Sequence, residues 1–351
     1  MYIILAIIAF GILIGIHELG HFLMAKAFRV KVNEFSLGMG PLLWKKQRGE
    51  TLYSLRALPI GGFCAMEGED EDTGDPRAFS AKPAWQKALI LVAGAAMNFV
   101  LGFLLICCIS PYAGFTEPVI GSFFEGCPYE GTLQVGDRIY SVDGHRTFFT
   151  SDVAEYLYRE TGDRHTLVLI RDGRRVELKD YNMPLVEYQT EDGESIWRYG
   201  FYYAPRETGF AANLKYSWYE SLNFVRLVWR SLGDLVTGNV GMKDLSGPVG
   251  IVGFVNDVEQ QSQSPLEKYF NFFYIFALIA VNLAVMNLLP IPALDGGRVF
   301  FLVVTWLVEL ILRRKVNPKY EGYIHTAGFV LLMGLMVFVM FNDVVKIIIG
   351  S

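Results

Sequence analysis

The chain lacks the marks of several common protein classes. Its 351 residues hold only four cysteines, Cys64, Cys107, Cys108 and Cys127, with no C-x-x-C spacing, and two of them sit side by side in an apolar run. This argues against a disulfide framework or a cysteine metal cage, so the four read as small core residues. Charge is scarce at 19% and its balance is -5, which gives no support to nucleic-acid binding. No lysine or arginine precedes Lys26, so the N-terminal apolar run has no basic start, and no small-residue cleavage site precedes His17. The expectation is a retained transmembrane helix over 1–28 rather than a signal peptide. What is abundant is apolar: 52% of the residues are hydrophobic, as in a membrane protein with a sizeable soluble part.

Inside that first apolar run stands Gly15-Ile16-His17-Glu18-Leu19-Gly20-His21-Phe22. His17 and His21 are four residues apart, so on a helix they share one face and can grip one metal ion, with Glu18 beside them to hold the water that the metal acidifies. At about 1.5 Å per residue, His17 lies roughly 22 Å along from Tyr2, submerged in a hydrocarbon core about 30 Å thick. An ionisable group near the bilayer centre costs at least ~2.5 kcal/mol, so function is a better account of these residues than chance.

Ten basic residues, Lys26, Arg29, Lys31, Lys45, Lys46, Arg48, Arg56, Arg77, Lys82 and Lys87, fall between the first and second apolar segments. By the positive-inside rule that loop, 29–87, is cytoplasmic and the N-terminus faces out. Within it, Tyr53 to Phe63 reads as two extended runs around Pro59, Gly61 and Gly62, a hairpin whose edge could pair with an unwound peptide; a plain connector is the equal alternative. The acidic run Glu67 to Asp75 reads as a solvated loop. Residues 88–109 form the second span, where the small patch Ala93-Gly94-Ala95-Ala96 permits close helix packing and Asn98 needs a partner in lipid.

From 115 to 183 the chain turns β-rich, and Gly136-Asp137-Arg138-Ile139 with Val142-Asp143-Gly144 resembles the core of a PDZ domain, with Ser151 to Glu160 as its internal helix. Such domains hold peptide ends by strand addition, and the orientation above places this one outside the cytoplasm. A β-rich spacer is the alternative. Across 184–269, Trp197 to Ala204 reads as one strand, Trp218 to Val236 as an interfacial helix and Ser246 to Gly250 as a break.

The third span, 270–289, runs into Asn287-Leu288-Leu289-Pro290-Ile291-Pro292-Ala293-Leu294-Asp295-Gly296-Gly297. The two prolines must break the helix, and irregular backbone at that depth needs protein or water around it. Running inward, the span brings Asp295 to the membrane face that carries His17 and His21, where it would complete a three-ligand zinc site; alone, Asp295 reads as a helix N-cap. Glu34 and Glu50 belong to the charged loop and are weaker third ligands. Residues 298–315, closed by Arg313-Arg314-Lys315, read as an interfacial or re-entrant helix, and 323–341 as a fourth span with His325 in a structural role.

Together the two motifs resemble the site-2 protease family of intramembrane zinc metalloproteases, in its bacterial regulator-cleaving branch with one PDZ domain. The resemblance covers almost the whole chain. It implies an α-helical membrane protein of about four spans with an inserted extracytoplasmic α+β PDZ domain and a membrane-associated β-hairpin. It further implies zinc on His17, His21 and Asp295, Glu18 as catalytic acid/base, Asn287 holding substrate backbone, and the Gly61-Gly62-Phe63 loop dipping into the membrane near the site. The implied substrates are single-span membrane proteins, such as anti-sigma factors or signal-peptide remnants, cleaved within the plasma membrane with the active site toward the cytoplasm. Ala95 departs from the proline common in the family's G-P-x-x-N pattern. A zinc transporter or sensor, or a PDZ-bearing membrane scaffold, would be a non-hydrolytic alternative.

Overall fold

In the computed structural model, residues 2–69, 73–112, 115–159, 162–189, 195–206, 209–238, 264–312 and 319–349 are described. Asp70 to Asp72 of the acidic run, the Ser246 to Gly250 break and the Arg313-Arg314-Lys315 cluster lie outside these residues. The chain divides into two compact units, one of 1–109 with 214–351 and the other Ser110–Asn213.

The first unit is built on helices. Four described helices are long and apolar enough to cross a membrane, with candidate spans Ile8–Ala27, Ala84–Ile109, Leu266–Asn287 and Gly322–Asp343. They belong to α1 (Tyr2–Ala27), α2 (Ala84–Ile109), α5 (Pro265–Asn287) and α7 (Lys319–Ile349). Helix α2 starts earlier than its apolar run because Pro83 launches it: the Pro83 carbonyl accepts from Gln86 and Lys87, the two polar residues of the first turn. Helix α5 likewise gains a turn from Ser264, whose side chain caps Glu267 N, with Pro265 in the first turn where no backbone donor is needed. Two further helices, α4 (Phe210–Thr237) and α6 (Asp295–Leu312), are not among the four. Trp218 of α4 packs edge-on against Phe99 and Phe103 of α2, and buried Glu220 accepts from the Tyr274 hydroxyl of α5 at 2.7 Å.

Strands β1 (Val32–Arg48) and β2 (Thr51–Met66) join α1 to α2. Their turn is at Gly49 and Glu50, not within Tyr53 to Phe63. The two runs read from sequence as hairpin partners do not pair with each other, because Glu34–Leu37 lies between them: Leu37 faces Leu55 on one side and Gly62 on the other. Gly61, at φ +99, supplies the bend that sends Gly62–Met66 back along β1.

The second unit carries a sheet in the order β10-β3-β4-β6-β7, with β5 on β4. These are β3 (Thr116–Phe123), β4 (Arg138–Val142), β5 (His145–Arg146), β6 (Arg164–Arg171), β7 (Arg174–Asn182) and β10 (Phe201–Pro205). Ile120, Ile139, Leu167 and Leu169 of the sheet bury their alternate side chains with Val153 and Leu157 of α3 (Thr150–Arg159). The two aspartates of the motif-like strings anchor loops: Asp137 takes a forked pair of bonds from Arg171, and Asp143 accepts from Thr166 N and His165. The single strand expected over Trp197 to Ala204 is two, β9 (Ser195–Arg198), paired with β8 (Val186–Gln189), and β10, paired with β3, because Gly200 at φ +76 turns the chain between them.

Candidate metal centre

The centre begins as a stripe on α1. Leu13, His17, Gly20 and His21 all face inward, as the helical period requires, and are buried. Against them lies α2, and the contact is closest at Gly94: a β-carbon there would stand 2.4 Å from His21 Nε2 and 2.8 Å from His17 Cε1. Only glycine leaves room for both imidazoles.

Asp295 arrives from the other end of the chain. After α5 ends at Asn287, the backbone turns through Leu288–Leu294, with Ala293 at φ +77, a left-handed conformation that costs a non-glycine residue about 1–2 kcal/mol. Helix α6 then starts at Asp295, where the positive end of the helix dipole favours its carboxylate. This loop folds tightly over the first turn of α6: a β-carbon on Gly296 would meet the Leu288 carbonyl carbon at 2.2 Å. Val299 and Leu302 hold α6 in place by packing with the cluster that includes Ala25, Ile90 and Leu91.

The three donors converge. His17 Nε2 and His21 Nε2 are 3.1 Å apart, and Asp295 Oδ2 lies 3.0 Å from the first and 3.4 Å from the second. Two ligands about 2.1 Å from a tetrahedral zinc ion stand about 3.4 Å apart, so this triangle has the size that such an ion demands. Asp295 Oδ2 is buried and, despite its close neighbours, makes no hydrogen bond among the described residues. An atom so placed wants a cation, and the two-imidazole, one-carboxylate donor set fits zinc. Among the described residues this is the one group of three metal-capable side chains. The His21 ring is held in a ligating orientation, because its Nδ1 donates to the Ile90 carbonyl at 2.8 Å and leaves Nε2 free.

A cavity of about 440 Å³ opens on the three donors, and Glu18, Phe63, Cys64 and Asn287 also line it. Gly62 abuts Glu18, since a β-carbon there would be 3.4 Å from Glu18 Cγ, whereas Gly61 packs on Met39 and does not line the cavity. Burial first, then the Glu18 and Glu69 charges, push the Cys64 thiol up to about 12. Glu34 and Glu50, the weaker third-ligand candidates, are engaged elsewhere, Glu34 with Arg56 at 2.8 Å and Glu50 with Lys26 at 2.9 Å and Arg77 at 2.7 Å. The side chain of His325 lies outside the described residues.

Three participants had no reading of their own in the sequence. Gly94 was visible only as part of a small-residue patch, although its place four residues before Asn98 puts both on one helix face. Glu69 and Arg298 form an ion pair that also lines the cavity, and no local pattern joins residues so far apart in sequence.

The family model of peptidase family M50 matches residues 5–335. A Clostridium perfringens protein, whose given name is that of a zinc metalloprotease, is 36% identical over 98% of this chain and 99% of its own length. The zinc metalloprotease RasP of Bacillus licheniformis is 28% identical over 98% of this chain and 99% of its own. The regulator of sigma-W protease RasP of Bacillus subtilis is 27% identical over 98% of each chain.

Proposed function

Since the chain belongs to peptidase family M50 and is an intramembrane zinc metalloprotease, we propose that it cuts single-span membrane proteins within or at the edge of their transmembrane segment, with His17, His21 and Asp295 holding zinc and Glu18 as acid/base. The observation that carries the residue assignment is the meeting of the three donor atoms, all within 4.8 Å of one another, beside Glu18 in one cavity. Zinc in such a site lowers the pKa of a bound water toward about 7 and polarises the scissile carbonyl.

The chain's own residues do the rest. The Glu18 carboxylate takes the proton of the attacking water and passes it to the leaving amine. Asp295 and the two imidazoles keep the reacting centre in one place, and the tight Gly94 contact keeps the imidazoles from turning away. A helical substrate hides its backbone, so it must unwind before cleavage, and its freed N–H and C=O groups then need partners. The Asn287 amide and the backbone around Gly61, Gly62 and Phe63 are suited to supply them, the latter by strand addition along β2. Exposed Leu37, Met39, Leu42, Leu43 and Trp44 on β1 support a hairpin that rests in the membrane. The basic first loop supports a cytoplasmic side for the hairpin and the metal, with the N-terminus and the Ser110–Asn213 unit outside. That unit is read as a PDZ domain. The Bacillus subtilis relative is named for regulating sigma-W, and an anti-sigma factor or a signal-peptide remnant is the substrate class proposed here.

The test is Glu18→Gln in the full-length protein in detergent, with a model single-span substrate. Zinc content is expected to stay at the wild-type level while cleavage falls by about 10²–10⁴-fold, the usual worth of a general base. Retained turnover would refute the role of Glu18, and zinc still bound by a His17→Ala/Asp295→Ala variant would refute the ligand set.

A further inference from the structure

His17 has two nitrogens, and only one of them faces Asp295. The other, Nδ1, has two amides beside it: the side-chain nitrogens of Asn98 and Asn287, each at 3.4 Å. An amide nitrogen cannot be the right partner if His17 binds metal through Nε2. Neutral imidazole carries one proton, and with Nε2 bare that proton is on Nδ1, which then donates and needs an acceptor. A second observation points the same way. Asn98 is fully buried on α2, and its oxygen, Oδ1, has no hydrogen-bond partner among the described residues. A carbonyl left unpaired in such a place is costly, because nothing replaces the water it has lost. The two ends of an amide are nearly the same shape, so a half-turn about its last torsion exchanges them. Turned so, Asn98 Oδ1 stands where Nδ2 is now, beside His17 Nδ1, and the unpaired oxygen and the donor that needs an acceptor satisfy each other.

We propose that Asn98 is the positioning residue of the metal centre, accepting a hydrogen bond from His17 Nδ1 and so holding Nε2 bare and turned toward Asp295. The assignment rests on the reading of His17 as a ligand. It gives the two imidazoles matching supports on one helix, since His21 Nδ1 donates to Ile90 O of α2 and His17 Nδ1 donates to Asn98 of α2. It also divides the work of the two asparagines. One Nδ1–H needs one acceptor, and buried Asn98 supplies it; half-buried Asn287, which lines the cavity, keeps its amide for substrate.

The experiment measures zinc affinity of the full-length protein in detergent by competition with a chromogenic chelator, for Asn98→Leu, Asn98→Asp and Asn287→Leu. Asn98→Leu, which removes the acceptor, is expected to weaken zinc binding about 10–100-fold, the usual effect of losing such a support. Asn98→Asp, which can accept but not donate, is expected to bind zinc about as tightly as wild type. Asn287→Leu is expected to leave zinc affinity unchanged. Wild-type affinity in Asn98→Leu would overturn the proposal. Should that variant not fold, Asn98→Asp decides alone: an affinity loss there would mean that Asn98 acts as a donor or as packing. His17→Ala is the control for the underlying reading, because undiminished zinc binding in it removes the ligand and not merely its support.

Discussion

A methyl group at position 94 would have nowhere to go. It would press on both imidazoles, and neither can retreat: His21 is tied to the Ile90 carbonyl and His17 stacks edge-on against it at 4.7 Å between ring centres. Overpacking of this kind costs about 1–3 kcal/mol, and here the cost falls on the two imidazoles proposed to hold zinc. Gly94→Ala is therefore expected to lower zinc affinity about 10–100-fold, which a zinc titration of the purified variant checks; an unchanged affinity would mean that α2 shifts to make room. At this scale His17, Glu18 and His21 stood out in the sequence as a group, because residues one turn apart on a helix are also near in sequence. It pointed to Asp295 only through a second motif, and left Gly94 and Asn98 as features of packing. Their part in the centre depends on which ring atoms they face, and that is set by the approach of α2 to α1.

The hairpin is where local pattern misled. Pro59, Gly61 and Gly62 do mark a change of direction, but the strands on either side of it are separated by Glu34–Leu37, and no periodicity within Tyr53 to Phe63 reveals a third strand between two. What fixes the base of β1 and β2 is a small polar cluster. Glu67 accepts from Asn33 and from Lys31, each at 3.0 Å, and its backbone N–H reaches Lys31 O at 2.9 Å. The bonds from Asn33 and Lys31 hold its carboxyl down at about 2, against an unfolded value near 4.5. A depressed carboxylate stabilises the fold above its unfolded pKa, and that contribution fades as pH falls from about 4.5 toward 2. Glu67→Gln is expected to flatten the acid limb of the stability profile across that window. Thermal unfolding in detergent at stepped pH measures it, and a wild-type acid limb in the variant would show that the cluster is not what the acid dissolves.

At the scale of the whole molecule, the order of apolar segments and the β-rich stretch between them were legible from hydropathy and turn residues alone. The limits of the inserted unit were not. A compact body from Ser110 to Asn213 extends past 183 because β10 closes the sheet on β3, a pairing between residues about eighty apart that no local signal announces. This changes how the unit should be removed. A deletion of 115–183 would remove β3 to β7 and leave β10 without its partner. Thr116 and Pro205 are paired neighbours, about 5 Å apart as antiparallel partners are, so 117–204 can be replaced by a few glycine and serine residues with little strain on the flanking chain. If the unit excludes substrates with bulky outer parts, the shortened protein is expected to cleave an untrimmed single-span substrate that the full-length protein leaves intact. Zinc affinity should not change, because every ligand and support proposed above lies in the other unit. Equal selectivity in the two proteins, with zinc bound equally, would remove the filter and leave peptide binding as the role of the sheet.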